Sequence, residues 1–307
     1  MTAQEVSDRW PPLPLDAWHA TKDTLQLWTQ IVGKLKVELA PFQNHLWHTA
    51  LTLTARGLTT GPLPAAHDVL QADFDFLDHN LTLSTGRGGR KVVPLYPRPV
   101  ALFYAEVLAC LDALGTPVVI NPIPQELPDA IPFDQDMTHG SYDADAVERW
   151  WRILQSTSLV MEEHRRWFTG KASPVLFYWG SFDLAIARYN GIPCAPPKGG
   201  GYIFRVAESE TNWAAGFWPG SGAVDYPAFY AYAYPQPAGI EHAAVEPKQA
   251  FWSTDLREFL MPYEDMRTLP DPDVALRAFL QSTYEAAADL SGWDRDRLEL
   301  QAIPVPR

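Results

Sequence analysis

Cysteine is scarce: the 307-residue chain has two, Cys110 in an apolar helical stretch and Cys194 in a Pro-rich loop. Thiols in such unlike settings make neither a disulfide framework nor a zinc cluster. Basic runs are missing too. The densest cluster, His164-Arg165-Arg166, lies inside an apolar helical pattern, and the formal net charge is −13. That balance argues against nucleic acid or an anionic membrane as the main partner. No stretch reaches the roughly 18 apolar residues that a bilayer span requires. Met1 to Pro12 is polar and lacks the apolar segment of a secretory signal. By elimination, the expectation is a cytoplasmic protein with neither a nucleic-acid nor a membrane partner.

Proline (28 residues) and tryptophan (12) are abundant, and 47% of residues are hydrophobic against 20% charged. A sizeable core follows, and disorder does not. The prolines predict many rigid, irregular connections. The tryptophans predict large buried rings, in an aromatic pocket or simply in a bulky core. The length permits one large domain or two intimate halves.

Periodicity predicts the elements. Trp18 to Leu35 carries a helical stripe at Leu25, Trp28, Ile31, Val32 and Leu35. His48 to Ala55, the alternating run within Asp73 to Ser84, and Lys91 to Leu95 predict strands. Pro99 opens a helix through Leu114, with Gly115 just past its end. Thr116 to Asn121 predicts a short strand, and a Pro-punctuated strap follows. Asp143 or Asp145 caps a helix running to about Phe168. Strands are then expected at Leu176 to Tyr189, Ala228 to Tyr234 and Glu258 to Pro262, with a helix at Val274 to Leu290.

The order repeats, which suggests a degenerate duplication. LWHTALTLTAR (Leu46 to Arg56) lies against YWGSFDLAIAR (Tyr178 to Arg188) without a gap. The expected fold class is α+β: two similar halves, each helix–strands–helix, with mostly antiparallel sheet covered by helices. Residues 1–125 form the first half, 126–144 the strap, and 145–307 the second half, together one compact unit. Residues 192–222 read as a Gly/Pro/Trp-rich irregular insertion whose aromatic end packs over a cavity.

Several long motifs, among them NHLWHTALTLTARGLTTGPLP (Asn44 to Pro64), SPVLFYWGSFDLA (Ser173 to Ala185), GFWPGSG (Gly216 to Gly222) and AFYAYAYPQP (Ala228 to Pro237), make the chain resemble a bacterial family catalogued as domain of unknown function 5996. The resemblance spans nearly the whole chain. It implies membership and carries no activity, cofactor or catalytic residue.

Chemistry therefore has to be sought in the residues. His45 and His48 flank Trp47, and two imidazoles three apart can share a metal if the backbone turns between them. On a strand, His48, Thr52, Thr54 and Arg56 share one face, which either lines a pocket or is simply solvated. Asp183 sits in an apolar run, where a carboxylate is costly to bury without a partner. Arg188 or an imidazole could answer it, as a catalytic pair or as a buried salt bridge. The catalytic candidates are His48, His45, Asp183 and Arg56, and His45, His48 and Asp183 are also the metal candidates. His79, Asp78 or Glu210 could add a third ligand, none at a diagnostic spacing. Acid–base use ranks above metal because it needs fewer groups. Lys34 and Lys171 read as helix-end charges, and Glu285 as a base or a partner for Arg56.

The leading function is small-molecule binding at the junction of the halves, with acid–base or metal-assisted chemistry as its options. The alternatives are a non-catalytic ligand-binding or structural protein and a protein-interaction module using the insertion. The cofactor, the oligomeric state and whether the chain is an enzyme stay open.

Overall fold

The computed structural model describes residues 8–300 apart from 200 and 223. Helix α1 spans Leu15–Leu39. Its predicted stripe is fully buried, but Thr21, Thr24, Gln26, Gln30, Lys34 and Lys36 are buried as well. From Thr24 to Lys36 the helix is therefore enclosed on all sides, while Asp16, Ala17, His19, Ala20, Val37 and Glu38 near its ends are exposed. It also continues past Gly33-Lys34, so Lys34 ends nothing; its Nζ donates to the Ile123 carbonyl at 2.8 Å.

The first sheet comprises β1 (Thr52–Leu53), β2 (Leu58–Thr59), β3 (Leu63–Ala65), β4 (Asp68–Asp75), β5 (Asn80–Thr85) and β6 (Arg90–Pro94). Its order is β1-β2-β4-β5-β6, with β3 also on β4, and every pairing is antiparallel. The alternating run reads directly: Leu70, Ala72, Phe74, Leu81 and Leu83 are buried while their neighbours are not. Burying one face of an antiparallel sheet produces that alternation. Helix α2 (Val100–Ala113) follows, and Gly115 with φ 72° closes it.

From 114 to 143 the chain is irregular, with no strand at Thr116 to Asn121. It lies along α1 and is held there by side chains. Gln30 bonds both the amide and the carbonyl of Gln125, and Thr24 and Thr21 accept from the amides of Ser141 and Asp143. Tyr142 stacks on Trp28.

Asp143 caps α3 (Ala144–Arg165) by accepting from the Ala146 amide. The second sheet comprises β7 (Leu176–Tyr178), β8 (Asp183–Pro193), β9 (Glu210–Trp218), β10 (Ala228–Tyr234), β11 (Phe251–Ser253) and β12 (Glu258–Pro262). Its order is β11-β12-β10-β9-β8-β7, again antiparallel throughout. A short helix α4 (Tyr202–Ala207) sits between β8 and β9. Helices α5 (Tyr263–Arg267), α6 (Pro272–Leu290) and α7 (Arg295–Leu298) complete the α+β fold. Among the described residues no helix is long and apolar enough to cross a membrane.

Two expectations need correction. Residues 192–222 are not one irregular insertion, because their second part is β9, an interior strand. Trp213, Ala215 and Phe217 are buried on one face and Ala214 and Gly216 on the other. Small residues and the flanking Gly and Pro mask the alternation. Of the strand expected at His48 to Ala55 only the two-residue β1 is strand; His48 and Thr49 end a 3₁₀ segment, Asn44–Thr49. His45 (φ 56°) and Leu46 (φ 63°) adopt left-handed backbone there, and the Thr49 hydroxyl closes the turn on the Leu46 carbonyl.

Both halves run helix, antiparallel sheet, helix, but the strand orders differ, because β12 lies between β10 and β11 in the second sheet, so the expected duplication is not confirmed. The gapless match between Leu46–Arg56 and Tyr178–Arg188 also sets the 3₁₀ segment and β1 against the end of β7, a tight turn and β8. The halves are joined directly. Leu51 and Phe177 exchange both backbone hydrogen bonds, at 3.0 and 2.9 Å. Trp150 of α3 packs on Phe76 from one half and on Phe177 and Phe182 from the other. Trp179 donates to the Thr49 carbonyl at 2.7 Å, and its ring lies where a Cβ on Gly33 would come within 2.3 Å.

Gly33→Ala should therefore destabilise the protein. Alanine in place of mid-helix glycine is normally worth about 1 kcal/mol of stability. Here the added methyl must displace an indole pinned by a hydrogen bond, and overpacking of this kind costs about 1–3 kcal/mol. A lowered thermal midpoint is expected; a raised one would show that Trp179 does not rest on Gly33.

Candidate functional site

Strand periodicity divides the second sheet sharply. On one face lie Phe177, Leu184, Ile186, Trp213, Phe217, Phe229, Phe259 and Met261, all buried. On the other face β10 presents Tyr230, Tyr232 and Tyr234, with Glu258 in register on β12. Asp183, Tyr178 and Tyr189 share that face, and its centre is paved with Ala185, Ala187, Ala214 and Gly216. Large side chains around small ones make a trough. Tyr230 leans so closely over Gly216 that a Cβ there would lie 2.5 Å from the phenol ring.

Asp183 is 5% exposed. Both of its oxygens are engaged, Oδ1 by the Ser181 hydroxyl and Oδ2 by the Tyr230 hydroxyl. Burial raises its carboxyl pKa, and the two hydroxyls only partly offset this. Burial and the Asp183 charge push Glu258 up to about 7, and they also raise Glu126, which the irregular stretch presents against Gly180. At the far end Glu208 accepts from Asn212 Nδ2 (2.6 Å) and from the Tyr232 hydroxyl (3.1 Å), and burial raises its pKa as well. Among the described residues, none of these four carboxyls is ion-paired.

His45 joins this face. It is 5% exposed, and its ring stacks on Tyr189 at 4.0 Å. Nδ1 meets the Ala207 carbonyl at 2.8 Å. A carbonyl only accepts, so Nδ1 carries the proton. Nε2 is buried with no hydrogen-bond partner. Burial lowers the imidazole pKa, the Ala207 bond works against this, and nearby Lys171 lowers it further. The ring is accordingly neutral, with Nε2 an unused acceptor.

The other expected site residues lie elsewhere. His48 points away from His45: its Nδ1 accepts from the Gln43 amide, its ring packs on Phe42, and burial lowers its pKa. Arg56 is exposed and paired with Asp75 and with Asp78 at 2.8 Å, which ties the β1–β2 turn to the end of β4. Arg188 does not answer Asp183, because five residues along a strand place them on opposite faces. Its Nη2 donates to the His164 carbonyl, and its guanidinium lies 4.2 Å from the Tyr284 ring centre. Lys171 pairs with Glu210, and Glu285 with Arg295. Among the described residues no three His, Cys, Asp or Glu side chains gather as a metal set. The fold thus brings His45 and Asp183 to one face and leaves His48 and Arg56 out. The Tyr230/Tyr232 alternation in AFYAYAY was a readable signal. Glu126 and Glu208 are placed by irregular backbone and Glu258 by strand register, and none of the three carries a local signal.

Two cavities lie away from this face. One, of about 560 Å³, is lined by Asp8, Arg9, Arg152, Gln155 and Ser156 and is rimmed by ion-paired surface side chains. The other, of about 270 Å³, is lined by Trp167, Arg188, Gln281, Glu299 and Leu300. There the Glu299 carboxylate bears on the Arg188 charge, and the guanidinium lies against the Tyr284 ring.

Fold and site together define an α+β protein of two bridged antiparallel sheets, the second bearing an acidic, tyrosine-lined trough. The chain belongs to a family of unknown function, DUF5996, whose model matches residues 10–300. No curated protein and no solved structure matches it.

The Glu258 shift has a measurable consequence. Its carboxyl is raised from 4.5 to about 7 in the folded state, so the unfolded chain ionises more readily. Its contribution to stability is complete below about pH 4.5 and is lost as pH rises through 7. Glu258→Gln removes this dependence. The midpoint difference, variant minus wild type, should be more positive at pH 8 than at pH 5 in paired thermal melts. An equal difference at both would place Glu258 in an ordinary aqueous setting.

Proposed function

We propose that the trough binds a small polar molecule and performs acid–base chemistry on it. The observation that carries this reading is the convergence of Asp183, Glu126 and Glu258 beside half-buried tyrosines, without a counter-charge. Carboxyls perturbed by burial and by one another are the kind of group from which functional sites are built. Glu258, near 7, populates both protonation states at neutral pH and is suited to general acid or base work. Asp183, fixed by two hydroxyls, is its positioned neighbour, and His45 supplies a neutral acceptor. The irregular stretch of the first half contributes Glu126 to the face of the second sheet, which supports a site at the junction of the halves. The acidic balance supports a small-molecule partner over nucleic acid.

A fragment screen read by NMR of the His45 imidazole and the tyrosine rings tests the proposal. Polar fragments should shift His45 together with Tyr230 or Tyr232. The double variant Asp183→Asn/Glu258→Gln should weaken them at least tenfold while keeping the wild-type circular dichroism spectrum. Hits that move Trp167 and Gln281 and leave the tyrosines still would transfer the site to the Arg188 cavity.

A further inference from the structure

We infer that the ligand of this trough is an organic cation, an amine protonated at neutral pH; the inference rests on the reading of the trough as a binding site. Donors and acceptors there are out of balance. The Ser181 and Tyr230 hydroxyls are spent on Asp183, and the Tyr232 hydroxyl and the Asn212 amide on Glu208. The carboxyls of Glu126 and Glu258 have no hydrogen bond or ion pair among the described residues, not even from the Tyr178 and Tyr189 hydroxyls of the same face, and the Asp183 charge bears on both. A ligand that brings donors meets these carboxyls, and a charged donor also relieves the repulsion between them.

Several carboxyls elsewhere in the molecule are ion-paired. Glu163 pairs with Arg277, Asp75 with Arg56, Glu106 with Arg98, and Glu299 with Arg295. No such partner stands beside Asp183, Glu126 or Glu258 among the described residues; at the His45 end Lys171 Nζ lies 5.0 Å from the Tyr189 ring and is itself paired with Glu210.

His45 is an independent indication. Its side chain is 5% exposed, its ring lies on Tyr189 of the same face, and its Nε2 has no partner. A neutral imidazole nitrogen accepts from an ammonium N–H and disfavours an anion. The aromatic floor agrees. Tyr230 and Tyr232 lie nearly parallel, with interplanar angle 14° and centroids 6.3 Å apart. Tyrosine ring faces attract ammonium groups through the ring quadrupole.

The test compares three molecules with one carbon chain: n-butylammonium, n-butanol and butyrate, each titrated against the full chain. Affinity is measured by calorimetry, and location by the His45 and tyrosine NMR signals. The ammonium should bind at least tenfold more tightly than the alcohol, with no butyrate binding. Asp183→Asn and Glu258→Gln, each checked for a native spectrum, should each weaken the ammonium at least fivefold and leave the alcohol unchanged. Glu264→Gln, at a remote Arg267 pair, should change neither. If the alcohol or the carboxylate matches the ammonium while shifting the same tyrosines, the cation preference is overturned and the binding trough stands. If none of the three moves His45 or a tyrosine, the trough reading falls with it.

Discussion

Hydrogen bonds from the buried polar side chains of α1 to irregular backbone hold the arrangement together. Long stretches without helix or sheet carry amides and carbonyls that are costly to bury unpaired. Thr21, Thr24, Gln30 and Lys34 serve those of the 114–143 stretch. Gln26 reaches across to the Gly180 carbonyl at 2.6 Å, and Lys36 to the Thr60 carbonyl at 3.1 Å. One helix thus touches the first sheet, the irregular stretch and the turn that opens the second sheet. Apolar packing of its tryptophans would bury it, but only these directional bonds fix what lies against it. Lys36 shows the cost: burial lowers its pKa to about 8, and it stays only because a carbonyl receives it.

That scaffold explains why the acidic trough lies where it does. The Gln26 bond and the seat of Trp179 on Gly33 hold the turn 179–182 between β7 and β8. Asp183 opens β8 immediately after this turn, so its direction is set by the same contacts. Gln30 anchors Gln125 at both its amide and its carbonyl, and Glu126 is the next residue. Two of the carboxyls that face each other are therefore positioned by successive turns of one helix, through backbone bonds one or three residues away from them. Glu258 arrives by another route, the register of β12 on β10.

The helices, the hairpins of the first sheet and β10 and β12 are legible in the sequence because local period and burial agree there. AFYAYAY alternates, and the strand spans Ala228–Tyr234. Asp143 and Gly115 punctuate helices as their chemistry requires. Legibility fails where the deciding contacts are distant. Nothing in NHLWHT announces two successive left-handed residues: His is enriched there among non-glycine residues, but the conformation stays uncommon even for it, and Leu does not favour it. β9 is hidden because glycine and alanine alternate with its aromatics and weaken the periodicity. In the site, Asp183 stands out as a carboxylate in an apolar run, and His45 as a histidine beside tryptophan. Arg188 misleads by proximity: strand parity alone separates it from Asp183. Glu126 and Glu258 are silent because their neighbours lie roughly 60 and 75 residues away in the chain, beyond any local pattern.

Backbone conformation links the scaffold to the proposed chemistry. Left-handed non-glycine residues cost of order 1–3 kcal/mol each and persist only where surrounding contacts over-determine them. Seven occur among the described residues. Ala66, His79, Phe182 and Arg257 turn hairpins, where such geometry is ordinary. The other three are His45, Leu46 and Glu126. His45 and Glu126 are groups of the proposed site, and Leu46 follows His45. The contacts that hold them are on hand: Ala207 for His45 and Gln30 through Gln125 for Glu126. Left-handed backbone outside the hairpins therefore falls at two places, and each supplies a polar group to the proposed site.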